Sequence, residues 1–292
     1  MPEWVVSSSD SGSKLIVFLK AHLGEAYSAR HLKRLIENNS CRINGQVERF
    51  ASTLLGKGDQ IFLTLAEPPA SSFLQFQPGR ILFEDEAILA YDKPSGLVCE
   101  PEEIHALMSP YDSSIRLVHR LDRQTTGVLL LCKNQEAFDH LVGQFKQHRI
   151  KKAYKAIVDR AMEKPGGIIE NYLGKIKSFA GQTIWGAVNP SQGLYACTEW
   201  ACIKKEKNAS LLACYPKTGR THQIRVHLAG IGHPILGDHQ YGRHFKCPYP
   251  AARYFLHAES IEFLHPGTEK LIKVESLLPE DFSRVQQELF NL

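Results

Sequence analysis

The sequence predicts an α+β protein in two parts, and three observations carry that expectation. Residues 168–214 read as successive strands separated by Gly and Asn turns, without the regular strand–helix alternation of a doubly wound fold. Residues 13–66 carry two short helical patterns and a hairpin, enough for a small α/β unit. Between these parts, AEPPASSFLQFQPGR is rich in Pro, Ser and Gln and has no periodicity, so it reads as a linker. The expected boundaries are 13–66, a linker over 67–79, and a larger domain over 80–292.

In the first segment, LIVFLKAHL sets Leu15, Phe18, Leu19 and His22 on one helical side. Ser28 is a good N-cap for a second helix, whose apolar face is Leu32, Leu35 and Ile36 and whose other surface carries Arg30, Lys33 and Arg34. CRINGQVE is a hairpin turning at Asn44-Gly45, and KGDQIFLTL is a further turn and strand. The polar leader before Ser13 shows no element.

The larger part opens with two strands in ILFEDEAILAYDKPSG, the second running into a Lys-Pro-Ser-Gly turn. VLLLC (128–132) is a buried strand, and Asn134 caps a helix with Phe138, Leu141, Val142 and Phe145 inward. IKKAYKAIV alternates as a strand carrying Tyr154. Thr221 is positioned to cap a short helix with Ile224, Leu228 and Ile231 inward and Gly230 or Gly232 at its end.

Composition narrows the class. The 292 residues suffice for a catalytic core plus an appended unit. No apolar run reaches the length of about eighteen residues that a membrane helix needs. MPEWVVSSSDSGS lacks the pattern of a signal peptide, which leaves a cytoplasmic location as the expectation. The seven cysteines are odd in number and include no CxxC, as for small buried hydrophobes in a reducing compartment. The net charge of +4 is slight, but residues 13–65 hold eight Lys or Arg against four Asp or Glu, a surplus of four. Such a surplus suits a nucleic-acid surface, or merely a solvated face.

Two phrases carry the chemistry. LVHRLDRQTTGVLLLCKN sets Asp122 between Arg120 and Arg123, just before a Thr-Thr-Gly turn and a buried strand. A carboxylate presented from such a junction beside cations can serve as a nucleophile; taken alone, the phrase reads more readily as a surface ion pair. TGRTHQIRVHLAGIGHPILGDHQYG places Arg220 before and Arg225 within the short helix, either able to face a carboxylate. His222 and His227 are five apart, not the four of a zinc helix motif, and no Glu follows His222, so no metal site is expected.

Together these phrases resemble the RluA-type ribosomal RNA pseudouridine synthase family. The resemblance rests on His119-Arg120-Leu121-Asp122-Arg123-Gln124-Thr125-Thr126-Gly127, on the G-R-T-H-Q-I-R-x-H phrase from Gly219 to His227, and on Lys152-Ala153-Tyr154-Lys155-Ala156. Lys93-Pro94-Ser95-Gly96-Leu97-Val98, the G-D and Y-G pairs ending at Asp238 and Gly242, and Leu256-His257-Ala258 extend it over nearly the whole chain from Arg80. The first segment resembles the S4 RNA-binding domain through its helix from Ser28, Ile43-Asn44-Gly45, and Gly58-Asp59-Gln60-Ile61. Glu100, where many relatives carry His, and the short stretch 101–116 depart from the pattern and bear on target choice.

The resemblance implies a pseudouridine synthase fold with a central mixed, largely antiparallel sheet. It implies Asp122 as nucleophile, Arg225 as its partner, Tyr154 against the flipped uracil and in proton transfer, and Arg120 steadying the flipped-out nucleotide. Arg30, Lys33 and Arg34 become RNA contacts. Pseudouridine formation involves no net redox change and no hydrolysis, so no cofactor is expected, and the carboxylate can attack C1′ of the ribose or add to C6 of the base. The expected partner is ribosomal RNA, with transfer RNA second, acted on by a monomer. The alternatives are a non-catalytic RNA-binding or ribosome-assembly protein, and a glycoside-cleaving enzyme for which Asp238 is the remaining acid in a shared phrase.

Overall fold

Short apolar stretches at 15–19 and 32–36 organise the first of two units into which the computed structural model divides, Met1–Ser72 with Ser178–Gln182, and Phe73–Lys177 with Thr183–Leu292. The structure describes residues 3–24, 27, 29–37, 40–64, 75–179, 182–242 and 244–291. Ser28 and residues 67–74 of the expected linker lie outside the described residues, while Pro78–Arg80 forms one turn of 3₁₀ helix.

The first unit contains β1 (Glu3–Val5), α1 (Leu15–Leu23), α2 (Ala29–Glu37), β2 (Cys41–Ile43), β3 (Gln46–Glu48) and β4 (Gln60–Leu63), with sheet order β1-β4-β2-β3. Leu15, Phe18, Leu19, Leu32, Leu35 and Ile36 are buried and meet Ile61 and Leu63 of the sheet. Each such side chain contributes roughly 1.5–3 kcal/mol. Strand β1 falls where the sequence suggests a polar leader. Three residues are too few to show a strand period, and this edge strand is held by pairing with β4 and by Trp4 against Phe18. His22, expected on the same helical side as Leu15, Phe18 and Leu19, is exposed, with its ring against Phe18 at 4.1 Å.

The two short motifs of this unit form one device. Asn44 and Gly45 take φ 52° and 79°, a two-residue hairpin turn of the I′ kind. Asn44 Nδ2 donates to Asp59 Oδ1 at 2.8 Å, Gln60 N–H donates to Asn44 Oδ1 at 2.9 Å, and Gly56 N–H donates to Asp59 Oδ2 at 2.7 Å. The hairpin tip and the G-D-x-I turn therefore hold each other.

The second unit is built on an eleven-stranded mixed sheet. Its strands are β5 (Ile81–Glu84), β6 (Ile88–Lys93), β7 (Arg116–Leu117), β8 (Thr126–Cys132), β9 (Lys151–Asp159), β10 (Gly166–Phe179), β11 (Gln182–Ala187), β12 (Leu194–Glu206), β13 (Ala209–Pro216), β14 (Leu256–Leu264) and β15 (Leu271–Glu275). The main order is β11-β10-β12-β13-β9-β14-β8-β6-β5, with β15 beside β14 and β7 beside β8. Among the described pairings β14–β8 alone is parallel, so the expected α+β, largely antiparallel architecture is found. The helices are α3 (Pro101–Met108), α4 (Gln135–Lys146), α5 (Gln223–Gly230) and α6 (Glu280–Phe290). Asn134 caps α4 as expected, accepting from Ala137 N–H at 2.8 Å, which stabilises it by about 1 kcal/mol.

Helix α3 falls within the stretch that reads in sequence as merely short. Its signals are Pro101 at the first turn, Glu102 and Glu103 after it, and Ile104, Leu107 and Met108 inward. The N-cap position of helix α5 falls at His222, not Thr221, with no side-chain capping bond, and Ile231 is 39% exposed because the helix ends before it and the chain turns at Gly232, φ 87°. Among the described residues no helix is long and apolar enough to cross a membrane. All seven cysteines are free, six of them buried.

The parallel pairing of β8 with β14 sets the approach to the site. Thr126 and Gly127 lie beside His257 and Ala258, and Gly127 adopts φ 104°. A Cβ there would fall 2.1 Å from the Ala258 carbonyl oxygen. Gly127→Ala should therefore destabilise the protein by more than about 3 kcal/mol, read as a large fall in the midpoint of thermal unfolding. An unchanged midpoint would show that the strand pair can open without cost.

Candidate active site

Asp122 occupies a tight loop just before β8. Thr125 N–H donates to the Asp122 carbonyl at 3.0 Å, and Gly96 N–H donates to the Arg123 carbonyl at 2.8 Å. Lys93 is fully buried beneath this loop, its ammonium donating to the carbonyls of Pro94, Arg123 and Thr125 at 2.9–3.0 Å. Burial pushes its pKa down to about 8. At the loop's far end the Thr126 hydroxyl bonds His257 Nδ1 at 2.9 Å, while His257 Nε2 faces the Ser276 carbonyl at 3.2 Å. The carbonyl can only accept, so Nε2 carries the proton and Thr126 donates. His119 accepts from Leu130 N–H at 2.9 Å and stacks on Phe145.

Asp122 opens onto a cavity of about 510 Å³, within the range of small-ligand sites. Its walls include the cations Arg120, Lys146, Lys152, Lys217, Arg220 and Arg225, and Asp122 is the sole acid among the lining residues. Tyr154, on β9 opposite Cys214 and Ala258, reaches the same cavity. Its hydroxyl makes no hydrogen bond among the described residues. Burial first, then the facing Asp122 charge, push the Tyr154 pKa upward, so it is a phenol and not a phenolate at neutral pH.

Arg225 Nη1 lies 3.4 Å from Asp122 Oδ2, but its stronger partner is another acid. Arg225 Nε and Nη2 donate to the two oxygens of Asp238 at 2.7 and 3.0 Å, and Nη2 also donates to Gln240 Oε1 at 2.7 Å. The rings of Tyr241 and Tyr254 lie 4.9 and 4.4 Å from its guanidinium carbon. Burial works against this cation, yet Asp238, Tyr254 and Asp122 raise its pKa above the ordinary arginine value.

His222 completes the surroundings of Asp122, with Nε2 3.8 Å from Oδ1. Its φ of 59° is left-handed, a conformation uncommon outside glycine that is enriched at functional positions. The Tyr241 hydroxyl accepts from Trp185 N–H at 3.2 Å and lies 2.6 Å from His222 Nδ1.

Of the residues singled out in the sequence, Asp122, Tyr154 and Arg225 converge, and Arg120 stands exposed at the cavity wall. Lys33 is half-buried on α2, and the side chains of Arg30 and Arg34 lie outside the described residues. In sequence Asp238 reads as a turn residue. It is that, accepting from Gln240 and Tyr241 N–H, and also the clamp on Arg225. Both its oxygens are so engaged, so Asp238 is not free to act as the second acid of glycoside cleavage. Sequence reasoning also misses His222, Tyr241, Tyr254 and Lys152 as members of one site. His222, Tyr241 and Lys152 do sit inside the quoted phrases, whereas nothing local marks Tyr254.

Comparison with known proteins places these features. Residues 87–230 match the family model described as RNA pseudouridylate synthase. The chain is 33% identical over 235 residues to ribosomal large subunit pseudouridine synthase D of Zymomonas mobilis, covering 73% of each protein. It is 31% identical over 293 residues to the enzyme of the same name from Pasteurella multocida, covering 92% of this chain and 89% of that one. The solved structure of human RNA pseudouridylate synthase domain containing 4 superposes with a TM-score of 0.59 at 24% identity, over 72% of this chain and 92% of that one, a likeness of fold.

Three histidines around the site give a pH signature. Burial pushes His119, His222 and His227 down from 6.5 to about 3, 4 and 4. Unfolding frees each imidazole to bind a proton, so stability is full above pH 6.5 and falls as pH drops toward 4. Each should add at most about 1.4 kcal/mol per pH unit to that fall. Urea denaturation between about pH 7 and about pH 5 measures it, and His227→Gln should make the decline shallower. A decline equally steep in the variant would contradict a neutral buried His227.

Proposed function

This chain belongs to the RNA pseudouridine synthase family, and on that premise we propose that it converts uridine to pseudouridine in ribosomal RNA with Asp122 as the nucleophile. The observation that carries the residue assignment is Asp122 in a cationic cavity, 3.4 Å from a guanidinium that Asp238 fixes in place. The choice of ribosomal RNA is supported by relatives whose names specify the large ribosomal subunit.

The reaction detaches uracil from C1′, turns it, and rejoins it through C5. A base inside a stack cannot be reached, so the uridine must first flip out, at a cost of a few kcal/mol. Arg120 steadies the flipped-out nucleotide, a role supported by its exposure at the cavity wall. Asp122 then attacks C1′ or C6, its direction of approach set by the pinned loop on one side and Arg225 on the other. Tyr154 packs on the base and, as a protonated phenol with an open hydroxyl, can exchange a proton with it. The first unit serves as an S4-like RNA-binding domain, supported by its helix–helix–hairpin order and the charge surplus of residues 13–65.

Asp122→Asn keeps the shape of the side chain and removes its nucleophilicity. Tritium release from C5-labelled RNA should fall at least about thousandfold, with RNA affinity changed less than about threefold. Turnover within tenfold of wild type would remove Asp122 from the chemistry.

A separate expectation concerns the first unit. Arg30→Gln, Lys33→Gln and Arg34→Gln together should weaken RNA binding and leave kcat at saturating RNA nearly unchanged. The slope of log K against log salt should flatten by about 0.7–0.9 for each phosphate that is no longer neutralised. An unaltered slope would mean that α2 is not an RNA face.

A further inference from the structure

Of the six cations on the cavity wall, Arg120, Lys146, Lys152 and Arg220 form no ion pair with an acid among the described residues, and Lys152 and Arg220 lie close enough to repel one another. Lys152 lies two residues before Tyr154 on β9, and Arg220 lies on the loop between β13 and α5. Lys152 Nζ donates to the Thr218 carbonyl at 3.2 Å, and Arg220 Nε donates to the Tyr195 carbonyl at 2.9 Å. Within the described residues neither has a carboxylate partner. Two neighbouring cations differ, since Lys217 pairs with Glu199 at 2.7 Å and Arg225 with Asp238.

A withdrawn cation normally has a counter-ion. Here an ammonium keeps donors beyond its one carbonyl, and a guanidinium keeps both terminal amino groups, on the wall that also bears Asp122 and Tyr154. Gly219, between Thr218 and Arg220, places no side chain over the Lys152 ammonium. Lys152 is a compact point charge and Arg220 a planar fork, a combination that suits the tetrahedral oxygens of a phosphate.

We propose that Lys152 and Arg220 form a phosphate subsite that grips an RNA backbone phosphodiester beside the nucleotide held at Asp122. The inference rests on the reading of this cavity as the uridine site. It also accounts for the state of the free protein. Burial, and then Arg220, push the Lys152 pKa down to about 8, and a bound phosphate restores the ammonium. The titratable groups that face Lys152 are Arg220 and His119, and His119 is uncharged, its own pKa being about 3. Above about pH 8, RNA binding therefore takes up a proton at Lys152.

The test uses the full chain and a ribosomal-RNA hairpin with an unpaired uridine, followed by fluorescence anisotropy across a salt titration at about pH 7 and about pH 9. Lys152→Gln and Arg220→Gln should each weaken binding about three- to tenfold and flatten the salt slope by about 0.7–0.9. Wild type should bind more weakly at the higher pH with proton uptake, and Lys152→Gln should lose that pH dependence. Lys152→Arg should restore the slope without restoring proton uptake, since a guanidinium does not titrate there. Salt slope and pH dependence unchanged in both glutamine variants would overturn the subsite. Should Lys152→Gln fail to fold, Arg220→Gln, on a half-exposed loop, decides by its slope. Failure of the activity assignment is read separately, by tritium release from Asp122→Asn, so the two ideas fall independently.

Discussion

Arg225 holds its charge with a side chain only 6% exposed, and Asp238, at 1%, is what makes that position tenable. Withdrawing such an ion from water costs several kcal/mol unless geometry and further hydrogen bonds compensate. The fork to Asp238, the bond to Gln240 and the rings of Tyr241 and Tyr254 supply them. With Nε and Nη2 so committed, Nη1 points to Asp122 without choice. The short helix α5, the turn after Gly237 and the chain entering β14 are all anchored on one side chain.

The opposite wall is made differently. Backbone carbonyls fix the Asp122 loop from below through Lys93, and the β8–β14 register fixes it from behind, where Gly127 lets two backbones meet more closely than a side chain permits. One wall is ionic and depends on a matched pair of charges. The other depends on hydrogen bonds from one buried ammonium to main-chain carbonyls and on strand register. The cavity lies between these two walls, with Asp122 and Arg225 3.4 Å apart, and Tyr254 joins them, its N–H donating to Gln124 Oε1 at 3.3 Å and its ring packed on the Arg225 guanidinium.

Much of this is legible in the sequence because the chemistry is concentrated in contiguous phrases. The loop of Asp122, the strand of Tyr154 and the helix of Arg225 each announce themselves within ten or so residues, and the strand-rich run after Ile168 gives the architecture. What stays hidden depends on contacts that no local pattern encodes. The Gly-Asp turn looks complete as a turn, so nothing in sequence reveals that Asp238 also clamps Arg225. Strand β1 is too short for a period and exists through its partner β4. Thr221 has the chemistry of a cap, but the left-handed turn at His222 moves the start of α5 on by one residue. The absence of acids beside Lys152 and Arg220 among the described residues is a three-dimensional fact, since Glu199, on the strand beside β13, faces Lys217.

Lys93 illustrates how a titration value and a reactivity can part company. A lysine with its pKa lowered to about 8 is, by that measure, an amine ready to meet an acylating reagent. Yet its side chain has no solvent exposure and its three protons are shared among three carbonyls, so no lone pair is presented to a reagent while the loop is closed. Acylation at this position can proceed only through a local opening that releases the Asp122 loop. Its rate would then serve as a clock for that opening, built into the protein at the one place where loss of order would disarm the nucleophile.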